Sequence, residues 1–207
     1  MRITSAEPSP KHKGMLRIHI DDSYAFTMPE SAWLRLDLYD RESLSEEEVG
    51  TLRHTVLRQA VREQAVRFLS IKDRTEEGLR ERLERAGFDP EDAAAGVADM
   101  KTLGYVNDYR FAQRHIAEQM RAKAVSRKHI RLDLRARGIA DEVITEVLAE
   151  FEQDDEEIAL RGARKKFGKY DLNDPAVERK AVSFLMHRGF GYDTVRTILR
   201  RLREETE

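Results

Sequence analysis

From about residue 45 onward, apolar positions recur at intervals of three and four, the spacing that lays them along one helical face. Val143, Ile144, Val147, Leu148 and Phe151 form one such face, and Val195, Ile198, Leu199 and Leu202 another. Residues 108–121 predict a helix burying Phe111, Ala112, Ile116 and Met120; residues 156–167 predict one burying Ile158, Ala159, Ala163 and Phe167. Residues 45–69 open with a capping-box pair, Ser45 and Glu48, and carry Val49, Leu52, Val56 and Phe68 on one face.

These segments repeat. Gly87, Gly138 and Gly189 are separated by equal intervals of 51 residues. Four residues before each stands a leucine (Leu83, Leu134, Leu185), and one residue after stands an apolar side chain (Phe88, Ile139, Phe190). Four residues after comes an acid (Glu91, Glu142, Asp193), and thirteen after another apolar residue (Met100, Phe151, Leu202). A glycine that closes a helix in the left-handed conformation explains the first columns. An acid in the first turn of the next helix, facing the positive end of its dipole, explains the fourth. Thr75 and Ser126 each stand twelve residues before their glycine, where an N-cap belongs, and Asp174-Pro175 serves the third copy. With the preceding helix added, the unit has three helices and occurs three times.

The expected fold is therefore all-α: an elongated tandem array of three three-helix repeats over residues 45–104, 105–153 and 154–207. Neighbours in such arrays stack to bury a shared core. A small N-terminal β-hairpin extension precedes it. Residues 1–14 hold two prolines and few apolar side chains, and read as a flexible tail. In residues 15–40, Leu16 to Ile20 and Tyr24 to Met28 alternate as two strands about Asp21-Asp22-Ser23, followed by a short helix. A lone hairpin is marginal in water, so it must dock, and Trp33, the single tryptophan, is the residue to hold it.

Composition narrows the chemistry. There are no cysteines, which removes disulfides and thiolate sites, and no run long enough to span a bilayer. The N-terminal stretch lacks the apolar core of an export signal, so a cytoplasmic protein is expected. His12, His19, His54, His115, His129 and His187 show no metal-ligand spacing. Gly162 to Lys169 imitates a phosphate loop but has five residues between its glycines and tyrosine after the lysine, so it reads as a basic helix ending at Gly168. Asp154-Asp155-Glu156-Glu157 reads as a helix start. No catalytic constellation, metal or cofactor is indicated, and the expected protein is not an enzyme.

The net charge of −2 conceals two basic zones. Residues 109–137 carry nine Lys or Arg against two acids, and residues 160–203 carry twelve against four. Arg127, Arg131 and Arg135 follow an i, i+4 row, as do Lys165 and Lys169, and Arg196 and Arg200. With Arg110, Arg121, Lys123, Lys128, Lys166, Lys180 and Arg188, they form a candidate surface for an anionic partner.

The tract LGYVNDYRFA from Leu103, with Tyr105, Asp108, Phe111 and Ala112, followed by RKHIRLDLRARGI from Arg127, resembles the RecX family, the regulators of the RecA recombinase. The third copy, AVSFLMHRGFGYDTVRTIL, resembles that family's C-terminal repeat. The tract Arg121 to Arg127 departs from the pattern, which often places glycine or proline there. The resemblance implies a non-enzymatic protein that binds the RecA–DNA filament in its groove; nothing in the sequence demands a dimer, so a monomer is expected. It would damp ATP hydrolysis, strand exchange and the filament's co-protease role. Asp108 reads as a helix-start acid, and Tyr105 and Phe111 as core. Two other readings stay open: a helix-turn-helix-like protein that binds DNA weakly and without sequence preference, and a helical scaffold whose basic zones are incidental.

Overall fold

The computed structural model describes residues 1–122, 124–151 and 154–205, apart from the side chains of Arg121 and Ala122. The chain forms two compact units, residues 1–107 and 108–207.

The first unit begins with a three-stranded antiparallel sheet in the order β1-β2-β3: β1 (Ile3–Pro8), β2 (Met15–Ile20) and β3 (Ser23–Pro29). The expected tail is thus mostly a strand. Its pairing with β2 runs from Ile3 opposite Ile20 to Pro8 opposite Leu16 and rests on main-chain hydrogen bonds, so few apolar side chains suffice. Both Asp21 and Asp22 take positive φ, giving the tight two-residue connection that suits a twisted hairpin. A short helix, α1 (Glu30–Arg35), and a turn of 3-10 helix at Leu38–Asp40 follow. The sheet docks as required: Trp33, at 4% exposure, joins Ile18, Phe26 and Met28 in one core with Leu79, Leu83 and Met100 from the helices.

The first repeat is α2 (Glu46–Thr51), a wide π-type stretch (Leu52–Leu57), α3 (Arg58–Ile71), α4 (Glu76–Glu84) and α5 (Pro90–Thr102). Ser45 and Glu48 make the reciprocal capping box, and the Thr75 hydroxyl accepts from the Gly78 N–H at 3.0 Å. Helix α5 packs against both α3 and α4. It also holds the sheet, because Asp89, its N-cap residue, accepts hydrogen bonds from the Tyr24 hydroxyl and the Thr27 N–H. Burial and then Asp89 push the Tyr24 hydroxyl up to about 12.

Asp99 clamps α5 to α3. Its side chain is 8% exposed and receives Arg58 Nε at 2.8 Å and Arg62 Nε at 2.7 Å. Hydrogen bonds from Arg58 and then Arg62 hold its carboxyl well below the usual range, against the opposing effect of burial. Since the folded value is depressed, the stabilisation is complete above about pH 4 and is lost as pH falls towards the folded value. Both arginines are partly exposed, which limits the effect. Asp99→Asn is expected to lower the unfolding free energy at pH 7 by about 2 kcal/mol, with the difference shrinking in acid; urea melts at pH 7 and pH 3 measure both.

The second unit holds α6 (Asp108–Ala122), α7 (Arg127–Ala136) and α8 (Asp141–Ala149), then α9 (Asp155–Phe167), α10 (Pro175–His187) and α11 (Tyr192–Glu204). In each repeat the first helix packs on the third: α3 on α5, α6 on α8, α9 on α11. The repeats do not pool one core. Ala112, Ile116, Ile130, Leu134 and Ile144 belong to one cluster, and Ile158, Ala163, Leu185, Ile198 and Leu202 to another. In the second unit each cluster draws mainly on its own three helices, with Ala124 of the second repeat packed against the third repeat's cluster.

The three glycine turns have one geometry. Gly87, Gly138 and Gly189 have φ of 104°, 79° and 83°. Each glycine N–H bonds three residues back, to Glu84, Arg135 or Met186, at 2.9 Å. The next N–H, of Phe88, Ile139 or Phe190, bonds five residues back to the carbonyl of Leu83, Leu134 or Leu185. That is the Schellman closure, and the leucine and following apolar residue are its accompanying hydrophobic pair, all six buried.

Tyr105 departs from expectation. It follows a fourth turn of the same kind, at Gly104 with φ 75°, but its side chain is 60% exposed while Val106 takes the buried place. Phe111 is partly buried and stacks with His115. Asp108 lies in the first turn of α6, where an acid suits the helix dipole.

Candidate interaction surface

The two basic zones behave differently. On α7, Ser126 caps the helix through the His129 N–H at 3.1 Å, which fixes the row formed by Arg127, Arg131 and Arg135. That row turns towards α8 of its own repeat. Arg127 donates to the carbonyls of Leu148 at 2.7 Å, in the last turn of α8, and Phe151 at 2.8 Å, just beyond it. Arg131 donates to Thr145 Oγ1 at 2.9 Å, and Arg135 makes a two-pronged pair with Asp141. The Asp141 carboxyl is accordingly held below its usual range, first by the Arg135 hydrogen bonds. Lys128 and Arg110 are exposed, while Lys123 and the Arg121 side chain lie outside the described residues.

In the third repeat the cations divide again. The Asp154 side chain caps α9 by accepting from the Glu156 N–H at 2.9 Å, in agreement with a helix start at the acidic run. The Asp174 side chain does the same for α10 at the Ala176 N–H, 2.7 Å away, with Pro175 at the first helical position. Gly168 ends α9, so the glycine-flanked basic tract is helix. Lys166 and Arg188 are drawn onto the Phe184 ring, 4.4 Å and 4.8 Å from its centre. Arg164 pairs with Glu205, Arg203 with Glu178, and Arg200 lies 3.9 Å from Glu204.

Lys165, Lys169, Lys180 and Arg196 are exposed, and the described residues offer them no hydrogen bond, ion pair or aromatic face. Arg161 and Arg179, which the spacing argument passed over, are in the same condition. Arg161 stands four residues before Lys165, so the row 161, 165, 169 was present to be read. Tyr170, 58% exposed, directly follows Lys169. Of the two basic zones, the one that remains available to an anion is therefore centred on the third repeat.

Among the described residues no three His, Asp or Glu side chains gather as metal ligands, and no helix is long and apolar enough to cross a membrane. His115, buried against Asp133 at 2.6 Å, ties α6 to α7.

Fold and surface together define a protein of tandem three-helix domains behind a small sheet. Family models for the first, second and third three-helix domains of RecX match residues 62–97, 107–148 and 153–199 respectively. The chain belongs to the RecX family. It is 23% identical over 203 residues to the regulatory protein RecX of Clostridium botulinum (strain Eklund 17B / Type B), covering 96% of this chain and 95% of that one. It is 29% identical over 140 residues to the regulatory protein RecX of Amycolatopsis mediterranei (strain U-32), covering 66% and 80%. A crystal structure of regulatory protein RecX superposes with a TM-score of 0.63 at 22% identity, covering 95% of this chain and 98% of that one. RecX from Lactobacillus salivarius gives 0.58 at 20% identity, covering 70% and 96%.

Proposed function

We propose that this protein is a non-enzymatic regulator that binds RecA filaments on DNA, along the filament groove, and mainly inhibits ATP hydrolysis, strand exchange and co-protease action. Membership of a family of regulatory proteins supports the class of function. The observation that carries the cationic contact is the set of unpartnered exposed cations on α9, α10 and α11: Arg161, Lys165, Arg179, Lys180 and Arg196, with Lys169 just beyond α9. Elsewhere in the second unit, Arg127, Arg135, Arg137, Arg164, Arg188, Arg201 and Arg203 have found carboxylates, carbonyls or rings. Cations held without partners cost stability through mutual repulsion, and an anionic partner relieves it.

The test is ATP hydrolysis by RecA on single-stranded DNA, followed as this protein is added. Inhibition at amounts well below RecA is the expected result. Inhibition only at amounts that coat free DNA would favour the second reading, a nonspecific DNA-binding protein, for which the same cations speak. That reading requires log affinity for bare single strands to fall with log salt by about 0.7 per phosphate neutralised.

A further inference from the structure

A cavity of about 360 Å³ opens in the first unit between the β1–β2 loop, α1, α3 and the turn from α4 to α5. Lys13, Arg35 and Arg67 line it, and none of the three makes a side-chain hydrogen bond or ion pair with a described residue. Ser31 and Gln64 add neutral donors, and Glu63, which accepts from Gln59 Nε2 at 3.1 Å, is the one carboxylate in the lining. Several other arginines of this unit take carboxylates, Arg41 with Glu48, Arg80 with Glu77 and Glu84, and Arg58 and Arg62 with Asp99, while Arg17, Arg74 and Arg82 lie over aromatic rings. What sets Lys13, Arg35 and Arg67 apart is that three uncommitted cations, drawn from three separate segments of the chain, face one concavity.

We propose that this cavity binds a phosphate monoester. Three cations less one carboxylate leave the lining at +2, which matches a monoester that is close to a dianion at neutral pH. Two guanidinium forks and an ammonium suit a tetrahedral group with three terminal oxygens better than a flat, singly charged carboxylate. An internal phosphodiester carries one charge and two free oxygens, and fits less well. The same chemistry is presented by a free nucleotide and by the 5′-phosphorylated end of a DNA strand. The site draws nothing from the third repeat and is independent of the filament reading.

Calorimetric titration of the full-length protein with deoxyadenosine monophosphate tests it, with deoxyadenosine as the control. The nucleotide is expected to bind and the nucleoside not to. Arg67→Gln should weaken binding about tenfold, the loss of one charge-assisted contact, and Arg35→Gln with Arg67→Gln should weaken it further. Glu63→Gln should tighten it several-fold. Circular dichroism melts of these exposed-residue variants should match the parent, and Lys165→Glu with Lys169→Glu should leave binding unchanged. Competition by a ten-nucleotide oligothymidylate assigns the source. Displacement only by its 5′-phosphorylated form identifies a strand end, and no displacement by either form identifies a free nucleotide. Equal displacement by the 5′-hydroxyl form, equal binding of nucleoside and nucleotide, or unchanged affinity in the double arginine variant would overturn the proposal.

Discussion

Gly87→Ala should lower the stability of the first unit by about 3 kcal/mol, whereas Gly104→Ala should cost only about 1. Both glycines close a helix with positive φ, 104° and 75°, so both substitutions force a side chain into a disfavoured conformation. They differ in what surrounds them. A Cβ at Gly87 would stand 2.8 Å from His12 Cβ and 2.9 Å from Met15 Cγ, while nothing lies within 4 Å at Gly104. Met15 is buried in the shared core, so the β1–β2 loop must shift to make room. Urea unfolding of the two variants, compared at equal slope, measures the difference. Equal losses would mean that the sheet does not press on the turn as described.

Reversing Lys165, Lys169 and Lys180 to glutamate is expected to raise the amount of protein needed for half-inhibition of RecA by tenfold or more, with melting unchanged. The three side chains are exposed and have no partner among the described residues, so their reversal disturbs no internal contact, while like charges would then face an anionic filament. Arg127→Ala should behave in the opposite way. It removes the guanidinium's hydrogen bonds to the carbonyls of Leu148 and Phe151 and should cost about 1–2 kcal/mol of stability, with inhibition by the folded fraction retained. Loss of inhibition by Arg127→Ala at full folding would return the contact to the second repeat.

The repeat could be read because the Schellman closure writes itself into sequence. Its glycine, its leucine and the apolar residue that follows are set by backbone geometry, so the same columns recur 51 residues apart. The N-caps Thr75, Ser126 and Asp174 were legible for the same reason. Strand β1 was not, because its place depends on main-chain pairing with β2 and on the Ile3 N–H reaching the Glu42 carbonyl, neither of which leaves a side-chain pattern. Tyr105 misled because the closure at Gly104 buries the residue one step later, Val106. The basic zones could be counted but not sorted. An i, i+4 row says that Arg127, Arg131 and Arg135 share a face, not that α8 presents the Leu148 carbonyl, Thr145 and Asp141 to that face. Nor could charge counting gather Lys13, Arg35 and Arg67, which lie far apart along the chain and line one cavity.

Whether the partner is a protein filament or only its DNA can be decided by fluorescence anisotropy of the labelled protein, titrated with RecA filaments and with bare single-stranded DNA as salt is raised. Binding to bare DNA should collapse first, and filament binding should persist into salt at which the bare strand is released. Parallel loss of both, with the same salt slope, would contradict a filament regulator and leave a simple binder of polyanions.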